Sequence, residues 1–455
     1  MDARLTLIVK RSIQTTGIKI NLHDEVEYSI IHISERRQAM TTKSDIIIIG
    51  GGPVGLSCAY YLLKSGRKVT ILDSKEIGKG SGAGNAGQIV PSHIIPLAAP
   101  GVVTSALKWM LDPALSPFGM KVRLSPAYLL WLVQFAAACN DANVQRSLPA
   151  MRNLAQLSVT NLQKMLAEEG IECRYQQTGI ITLFKDEKAF DGGRHEAEFL
   201  GRNGVPIEIL DRATLHTREP IALDDVIGGI HFTGDSYMNP AIFLGELAKR
   251  VRTMGAEVHE NTPVTGFESA GGKITKVRTA SGEFEAEHIV LAAGAWSPIV
   301  ARELRLKLPI QPARGYSVTV AAPGKMPRHA FILGDRRVAV SPFGESLRFT
   351  GRLEVGEYST TPNPDWLARL EKFVREYIEL DEKLDVKETW AGLRPVTPDG
   401  IPAIGRAPHH SNLTVATGHA MVGLTLGPGT GQVVAELVNG RKPAFDLGPF
   451  GLERF

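Results

Sequence analysis

The chain has 455 residues, of which 43% are apolar and 22% charged, and its formal net charge at pH 7 is +3. A chain of this length holds more than one small core, and its small charge, without a dense lysine and arginine block, argues against a nucleic-acid partner. Its three cysteines, Cys58, Cys139 and Cys173, lie too far apart for a disulfide framework or a CxxC site, so we predict a reducing, cytoplasmic location.

The segment before Met40 lacks the pattern of a targeting signal. Its apolar cluster LTLIV is shorter than the hydrophobic region of a signal peptide. We therefore predict that residues 1–43 are a disordered extension and that Met40 is the natural start of the protein.

A glycine-rich turn follows at Gly50. The sequence DIIIIG before it is typical of a buried parallel strand, LSCAYYLLKSG after it of a helix, and KVTILD of a second strand. Gly50, Gly52 and Gly55 match the pattern G-x-G-x-x-G. The first glycine permits a tight turn, the second lets a pyrophosphate approach the backbone, and the third lets the helix pack on the strand.

Asp73 ends the second strand, 21 positions after Gly52, where a carboxylate accepts hydrogen bonds from ribose hydroxyls. The helix N-terminus adds free N–H groups and a positive dipole for the phosphates. The full series of strand, turn, helix, strand and acid predicts a bound dinucleotide. It leaves open whether that dinucleotide is NAD(P) or FAD.

An apolar run, AYLLWLVQFAAAC, extends from Ala127 to Cys139 and has only 13 residues, with Gln134 inside it. A transmembrane helix needs about 20 residues. We predict a buried helix here; the alternative is a surface patch that docks on a membrane to reach a quinone.

Further glycine-rich stretches replace a second G-x-G-x-x-G turn, which we do not find between a strand and a helix. They span residues 81–93, 288–298, 390–405 and 415–431. Together they indicate backbone that meets a large, flat ligand at several points.

These motifs resemble those of the FAD-dependent D-amino-acid oxidase and glycine oxidase group, and within it the bacterial D-amino-acid dehydrogenases. The resemblance covers nearly all of residues 44–455. It is carried by the glycine turn, GNAGQIVPSH, GDSYMNP, LAAGAWS, GLRPVTPDGIPAIG, TGHAMVGLTLGPGTG and the tail GRKPAFDLGPFGLERF.

The resemblance implies an α/β flavoprotein with two domains. A discontinuous Rossmann-type FAD-binding domain would comprise residues 44–125, 236–308 and 388–445. A substrate or cap domain built on an antiparallel sheet would comprise residues 126–235 and 309–387 and cover the flavin. Residues 446–455 would form a C-terminal tail.

It also implies the chemistry. An amino acid would pass its Cα hydrogen as hydride to flavin N5, and the resulting imine would hydrolyse to a 2-oxo acid and ammonia. The FAD would be noncovalent, because no cysteine lies in the C-terminal flavin motifs. Electrons would pass to a quinone or another acceptor, and a peripheral contact with the inner face of the plasma membrane stays open.

Alternatives remain at this stage. One is an oxidase that uses O₂ on glycine or sarcosine, or a proline or hydroxyproline dehydrogenase. Another is a non-catalytic FAD-binding protein. The D configuration of the substrate comes from the resemblance alone.

Several site roles follow from the resemblance. Arg394, in the RP motif, would bind the substrate carboxylate; the alternative is an arginine salt-bridged in a surface loop. Tyr316 would cover that carboxylate, although a tyrosine in a sheet is more often packed in a core. His419 and Met421 would line the substrate side, and His419 could equally be a core histidine with a satisfied hydrogen bond. Gln88 would lie on or near the isoalloxazine ring.

The remaining roles concern the cofactor. Backbone N–H groups of residues 418–425, near the start of a helix predicted at 429–438, would face N1 and O2 of the flavin. Val264 would contact adenine through its backbone, and Gly294 and Trp296 would close over the nucleotide. Many dehydrogenases of this group have a smaller residue, such as glycine, after the histidine; this chain has Ala420.

We thus predict four catalytic residues, Arg394, His419, Tyr316 and Gln88. No metal is predicted, because HExxH and clustered Cys/His spacings are absent from the sequence. The predicted FAD contacts are Gly50, Gly52, Pro53, Val54, Gly55, Asp73, Ser74, Lys75, Ala86, Gly87, Gln88, Val264, Gly294, Trp296, Gly392, Gly418, His419, Met421, Val422, Gly423, Leu424 and Thr425.

Overall fold

The computed structural model describes residues 42–110, 116–121, 123 and 125–455. The predicted N-terminal extension therefore lies outside the described residues except for its last two positions. The described strands are β1 (Thr42–Ile49), β2 (Val69–Leu72), β3 (Gln88–Ile89), β4 (Phe118–Met120), β5 (Ile180–Phe184), β6 (Ile207–Asp211), β7 (Gly228–Phe232), β8 (Ser236–Tyr237), β9 (Glu257–His259), β10 (Val264–Ala270), β11 (Lys273–Thr279), β12 (Gly282–Leu291), β13 (Gln311–Ala321), β14 (Ala330–Leu333), β15 (Val338–Pro342), β16 (Ser346–Val355), β17 (Val386–Val396), β18 (Ala403–Arg406) and β19 (Leu413–Thr417). The described α-helices are α1 (Pro53–Lys64), α2 (Val102–Met110), α3 (Pro126–Ala138), α4 (Asp141–Glu169), α5 (Glu187–Arg202), α6 (Arg212–Arg218), α7 (Pro240–Thr253), α8 (Ser297–Glu303), α9 (Pro364–Arg375) and α10 (Gly423–Val438).

The first sheet contains the predicted dinucleotide-binding unit. Its strands run in the order β10-β11-β12-β1-β2-β9, with β19 beside β12 and β18 beside β19. Strands β1, β2 and β9 are parallel, as are β12 and β19. Residues 46–49 of β1 are almost completely buried, as their unbroken run of isoleucine predicts.

The second sheet is mainly antiparallel and has the order β17-β13-β16-β15-β14-β5-β7-β6, with β4 beside β16. Its parallel pairs are β14 with β5 and β16 with β4. One face packs against α9 through a core that includes Tyr316, Val318, Phe349, Trp366 and Leu370. The opposite face looks toward the loop of residues 81–93, because Arg348 donates to the carbonyl oxygens of Ala83 and Asn85.

Helix α10 lies between α1 and α4. A Cβ at Gly431 would lie 2.5 Å from the carbonyl oxygen of Ser57 on α1. A Cβ at Gly429 would lie 2.9 Å from the carbonyl oxygen of Leu154 on α4. Glycine on both sides of α10 therefore allows all three helices to approach closely.

Helix α4 and strand β17 bear on the predicted domain boundaries. Helix α4, which falls in the predicted substrate segment 126–235, shares its core with α1 and α10 of the dinucleotide-binding unit. Strand β17 spans the predicted boundary between residues 387 and 388 and lies wholly in the second sheet. The division into domains itself stays a prediction.

Helix α3 corrects one expectation. The prediction of a buried helix for residues 127–139 is wrong, because only Tyr128 and Trp131 of α3 are buried. Leu129, Leu130 and Val133 have 47%, 57% and 67% of their surface exposed. Within the described residues, no helix combines the length and apolar content needed to cross a bilayer.

Candidate cofactor and substrate site

The glycine turn after β1 has the geometry that its spacing predicts. Gly50 adopts a φ of 105°, which suits glycine alone. A Cβ at Gly55 would lie 1.8 Å from the carbonyl oxygen of Gly50, so only glycine lets α1 cross the turn. A Cβ at Gly52 would meet no atom within 4 Å. The open space at Gly52, beside the N-terminus of α1, fits a pyrophosphate.

Asp73 lies at the end of β2 and holds the turn. Its Oδ2 accepts a hydrogen bond from the Gly51 N–H at 2.7 Å, and its Oδ1 accepts one from the Lys75 N–H at 2.8 Å. Burial raises the pKa of its carboxyl group. The Thr262 N–H donates to the Asp73 carbonyl oxygen at 2.7 Å, which brings the start of β10 at Val264 close to the nucleotide end of the sheet.

The turn after β12 lies directly beside the glycine turn. The Ala292 N–H donates to the carbonyl oxygen of Ile49, and a Cβ at Gly50 would lie 2.5 Å from the Ala292 carbonyl oxygen. Gly294 and Trp296 follow in a short 3₁₀ helix, and Trp296 is 37% exposed. These predicted contacts thus lie together because β1 and β12 are neighbours.

The loop of residues 81–93 bridges the two sheets. The Gln88 side-chain amide donates to the Phe331 carbonyl oxygen at 3.0 Å and to Ser341 Oγ at 3.4 Å, both on the second sheet. The Val90 N–H donates to Thr425 Oγ1 at 3.1 Å, in the first turn of α10. The loop thus contacts the second sheet through Gln88 and the first turn of α10 through Val90. The isoalloxazine ring is predicted to lie on or near Gln88.

Helix α10 begins at Gly423, six residues before the predicted start at Gly429. Its N-cap, Val422, provides no side-chain cap, so the N–H groups of the first turn are available to a ligand. A Cβ at Gly427 would lie 3.2 Å from the Pro53 carbonyl oxygen, which places the start of α10 next to the start of α1. Two positive helix ends thus meet in one crevice.

Arg394 projects from β17 on the face of the second sheet that looks toward the loop of residues 81–93. Its guanidinium lies over Gly315, where a Cβ would be 1.8 Å from Nη1, and Nη1 donates to the Arg352 carbonyl oxygen at 3.1 Å. Among the described residues, no acidic side chain forms an ion pair with Arg394. Burial lowers its pKa to about 10, so it remains charged at neutral pH. Arg394 is partly buried and lies on a sheet strand, so among the described residues it is not the salt-bridged surface arginine of the alternative. A carboxylate ligand fits this partly buried cation.

His419 is 2% exposed, and its Nε2 lies 3.0 Å from Thr430 Oγ1 on α10. Burial lowers the pKa of His419 to about 3, so the imidazole is neutral at physiological pH. This geometry matches the core-histidine alternative. Met421, two residues on, is 52% exposed, and Ala420 between them has a φ of 45°.

Tyr316 lies on the wrong face of its strand for the predicted role. Its ring belongs to the core beneath α9, and its hydroxyl donates to Glu354 Oε2 at 2.9 Å. Successive residues of a strand point to opposite faces, and the neighbouring Gly315 is the residue beneath Arg394. Tyr316 therefore packs in a core and does not cover a carboxylate held by Arg394.

Three residues on the site face were missed from the sequence: Ser317, Thr350 and Trp390. Ser317 pairs with Thr350 on β16 and with Trp390 on β17. The Trp390 ring would lie 2.2 Å from a Cβ at Gly84 and 2.0 Å from one at Gly392. Period-two alternation from Arg394 would have selected Trp390, while Ser317 and Thr350 require the strand register. The other predicted FAD contacts lie on the segments described above, namely Pro53, Val54, Ser74, Lys75, Ala86, Gly87, Gly418 and Leu424.

Known proteins match the chain along nearly its whole described length. A model of the DAO family, described as "FAD dependent oxidoreductase", matches residues 45–437. A "D-amino acid dehydrogenase" of Granulibacter bethesdensis is 31% identical over 416 residues, covering 90% of this chain and 99% of that protein. One of Paramagnetospirillum magneticum is 33% identical, covering 90% of this chain and 98% of that protein.

Solved structures match as well. Glycine oxidase from Geobacillus kaustophilus aligns with a TM-score of 0.73 and 24% identity over 91% of this chain and all of its own. L-proline dehydrogenase from P. horikoshii aligns with a TM-score of 0.70 and 24% identity, covering 91% of this chain and 98% of its own. These likenesses confirm the predicted fold class.

Proposed function

The chain belongs to the DAO family of FAD-dependent oxidoreductases, and from this premise we propose that it oxidises D-amino acids to 2-oxo acids and ammonia. The family confirms the predicted cofactor, FAD; its noncovalent attachment stays a prediction. The relatives named D-amino acid dehydrogenase support the substrate class. When bound, FAD supplies the acceptor for the hydride that leaves Cα.

The observation that carries the proposal is the charge of the partly buried Arg394. Its guanidinium lies over Gly315 without an acidic partner among the described side chains, and an amino-acid carboxylate would supply that partner. A guanidinium binds a carboxylate with two parallel hydrogen bonds, which orients as well as binds the substrate. Arg394 would thus fix the direction in which Cα faces the cofactor.

Other parts of the crevice would bind the cofactor and orient the substrate. The first turn of α10 and that of α1 favour negative charge on the bound cofactor. The loop of residues 81–93 and the Trp390 ring would exclude water from the space above Arg394, which strengthens its interaction with a carboxylate.

The direct test is anaerobic mixing of the purified yellow protein with D- and L-amino acids. We expect D-amino acids to bleach the flavin absorbance and to yield a 2-oxo acid and ammonia in equal amounts, while the L-enantiomers leave the absorbance unchanged. Protein that no amino acid of either configuration bleaches would instead support the non-catalytic FAD-binding alternative. Release of peroxide in air distinguishes an oxidase from a dehydrogenase.

The electron acceptor is a finer part of this proposal. We propose a membrane quinone, reached by docking α3 on the bilayer surface. Leu129, Leu130 and Val133 expose their apolar side chains on the outer side of α3. On its inner side, Trp131 donates to the Val396 carbonyl oxygen at 3.1 Å, two residues beyond Arg394. The docking surface therefore lies close to the proposed substrate site.

Vesicle sedimentation tests this docking. Replacing Leu130 and Val133 with glutamine should lower binding to phospholipid vesicles roughly tenfold or more, since each change removes apolar surface from the interface. Turnover with a soluble dye should stay unchanged, and turnover with vesicle-borne quinone should fall. Ile209→Gln, at a residue that is 48% exposed on β6, is the matched control. Equal vesicle binding by both variants would contradict the docking role of α3.

A further inference from the structure

In the described part of the second sheet, two neighbouring buried hydroxyl groups have no hydrogen-bond partner. Ser317 on β13 is 0% exposed and Thr350 on β16 is 5% exposed. Within the described residues, neither Ser317 Oγ nor Thr350 Oγ1 bonds to another group. Buried polar groups almost always have partners, so two unpaired hydroxyls call for a ligand or another explanation.

The two hydroxyls are neighbours. Ser317 and Thr350 face each other in the antiparallel ladder between β13 and β16. Side chains at directly opposed positions of such a ladder have Cβ atoms about 5 Å apart. One hydrogen-bonding group can therefore contact both, donating to one hydroxyl and accepting from the other.

Both hydroxyls lie on the site face of the sheet. Trp390, opposite Ser317 on β17, packs its ring against Gly84 in the loop of residues 81–93. Arg348, two residues before Thr350, donates to carbonyl oxygens of the same loop. The intervening Phe349 points to the opposite face, into the core beneath α9.

The spacing from Arg394 suits an amino acid. Its guanidinium lies over Gly315, two positions before Ser317 on the same strand. Two residues of a β-strand span roughly 7 Å. A substrate whose carboxylate is bound by Arg394 would therefore extend a short side chain toward the two hydroxyls.

We propose that Ser317 and Thr350 form a side-chain subsite that selects amino acids bearing a hydroxyl group near Cα. The inference rests on the proposed function, whose carboxylate-binding residue defines the distance. A subsite built to hydrogen-bond a substrate hydroxyl discriminates strongly against the analogue that lacks it, because the buried groups are then left unpaired.

Matched substrate pairs test the subsite in steady-state assays with a dye acceptor. The pairs are D-serine with D-alanine, D-threonine with D-valine, and cis-4-hydroxy-D-proline with D-proline. For at least one pair, the wild-type protein should show a kcat/KM at least about tenfold higher for the hydroxylated member. Ser317→Ala, Thr350→Val and the double variant should reduce this ratio to near one, chiefly by lowering kcat/KM for the hydroxylated member.

The control variant is Thr389→Val, which removes an exposed hydroxyl from the same sheet, next to Trp390 in sequence, and should keep the wild-type ratio. If D-amino acids reduce the flavin but the wild-type ratio is near one for every pair, the subsite is overturned while the proposed function stands. A preference that survives in the double variant overturns it too. If no amino acid reduces the flavin, both proposals fall. The wild-type ratio decides even where a variant does not fold.

Discussion

Arg394 combines a position in a motif with an unusual environment on β17. The RP motif indicates its role by resemblance, and the structure adds a physical reason, because a partly buried guanidinium over Gly315 lacks an acidic partner among the described residues. A buried cation without a counter-ion destabilises a fold unless a ligand neutralises it. Under the proposed function, that instability in the free protein would favour the binding of a substrate carboxylate by Arg394.

Arg394→Ala should bind FAD normally and lose nearly all turnover. Apparent substrate binding should weaken by about 2–5 kcal/mol, since the carboxylate then lacks its charged partner. The rate of flavin reduction as a function of substrate concentration measures this, with FAD content as the check on folding. Arg212→Ala, at an exposed position at the start of α6, should behave as wild type. Wild-type kinetics in Arg394→Ala would show that the carboxylate binds elsewhere.

Ala420 adopts a backbone conformation that is unfavourable for a residue with a Cβ. Its φ of 45° is in the left-handed region, where many relatives of this kind are expected to have glycine. For a residue with a Cβ this conformation costs roughly 1–2 kcal/mol. The amide of Ala420 donates to the Pro395 carbonyl oxygen, which maintains the strained turn beside Arg394.

Ala420→Gly should therefore raise the free energy of unfolding, by up to about 1 kcal/mol once the greater freedom of the unfolded chain is counted. Thermal or denaturant unfolding of the FAD-bound protein measures the change. Ala301→Gly, in the buried interior of α8, should have the opposite sign. A loss of stability in both variants would show that the turn at Ala420 is not strained.

Which single residues can be predicted depends on whether their role is local. Gly50 and Gly55 have the conformation and close approach that their spacing predicts, since both serve one turn. Tyr316 is one position away from the site face, and nothing in the sequence reveals which face of β13 looks toward the loop of residues 81–93. Ser317 and Thr350 could not be predicted for the same reason, because the sequence does not reveal the register between β13 and β16.

At the scale of elements, α10 shows how a distant partner changes a helix boundary. The sequence predicts a helix that starts at Gly429, directly after Pro428. The structure instead continues the helix across Pro428, and Ser158 on α4 makes this possible. Ser158 Oγ donates to the Thr425 carbonyl oxygen at 2.5 Å and accepts from the Gly429 N–H at 2.9 Å. A hydroxyl 271 residues away in the chain thus bridges the two groups, which sequence periodicity cannot reveal.

Helix α3 illustrates a related limit. Its run of apolar residues lacks a polar stripe, so periodicity cannot indicate which side faces the protein. Contacts with the second sheet determine which side of α3 faces the protein. Tyr128 and Trp131 pack beside Ala313 and Val396, and the remaining side of α3 faces outward.

Gly431→Ala tests the contact between α10 and α1. The new methyl group would lie 2.5 Å from the Ser57 carbonyl oxygen, so α10 must move away from α1. We expect a loss of about 1–3 kcal/mol in unfolding free energy and a lower FAD content. Gly245→Ala, where a Cβ in α7 meets no atom within 4 Å, should instead stabilise by about 0.5–1 kcal/mol. Stabilisation by both changes would contradict the tight packing of α10.

At the scale of the whole molecule, Asp235 links the loop of residues 81–93 to β8. Its Oδ1 accepts from the Ser92 N–H at 3.1 Å and its Oδ2 from the Ser92 hydroxyl at 2.7 Å. Burial raises the pKa of Asp235 to about 7 against a value of 3.8 for a free side chain. The folded state therefore retains a proton that the unfolded chain releases as pH rises between these values, so Asp235 lowers stability across this window.

Asp235→Asn keeps the shape but cannot titrate. Its Oδ1 can still accept from the Ser92 N–H, and its amide nitrogen would donate to the Ser92 hydroxyl oxygen, so the direction of the second bond is reversed. Its stability relative to wild type should rise from pH 4 to pH 7 and level off above, as unfolding curves at several pH values will show. The difference from wild type must be measured, because two buried histidines also titrate in this range. Burial lowers the pKa of His93 and His288 to about 4, which makes the free energy of unfolding rise with pH, opposite to the effect of Asp235. Exposed Asp224→Asn is the control; a pH-independent difference for Asp235→Asn would contradict the burial effect.

The overall architecture was accessible from the sequence through motif resemblance, whereas the path of the chain between the two sheets was not. The glycine turn and the C-terminal motifs each predict a local contact with one dinucleotide, and both lie at the crevice. Strand β17, however, supplies Arg394 to the second sheet from a segment predicted to belong to the dinucleotide-binding unit. Long-range pairing with β13 decides this assignment, and such pairing leaves no periodic trace.

The seat of α10 between α1 and α4 has a consequence for the order of events during synthesis. The contacts of α1 with α10 join Pro53 and Ser57 to Gly427 and Gly431. They can form only after the last part of the chain has been synthesised. Contacts so remote in sequence form slowly and late. A nascent polypeptide on the ribosome would hold the glycine turn without the helix that completes the crevice, so the coenzyme would be captured only after the finished chain is released.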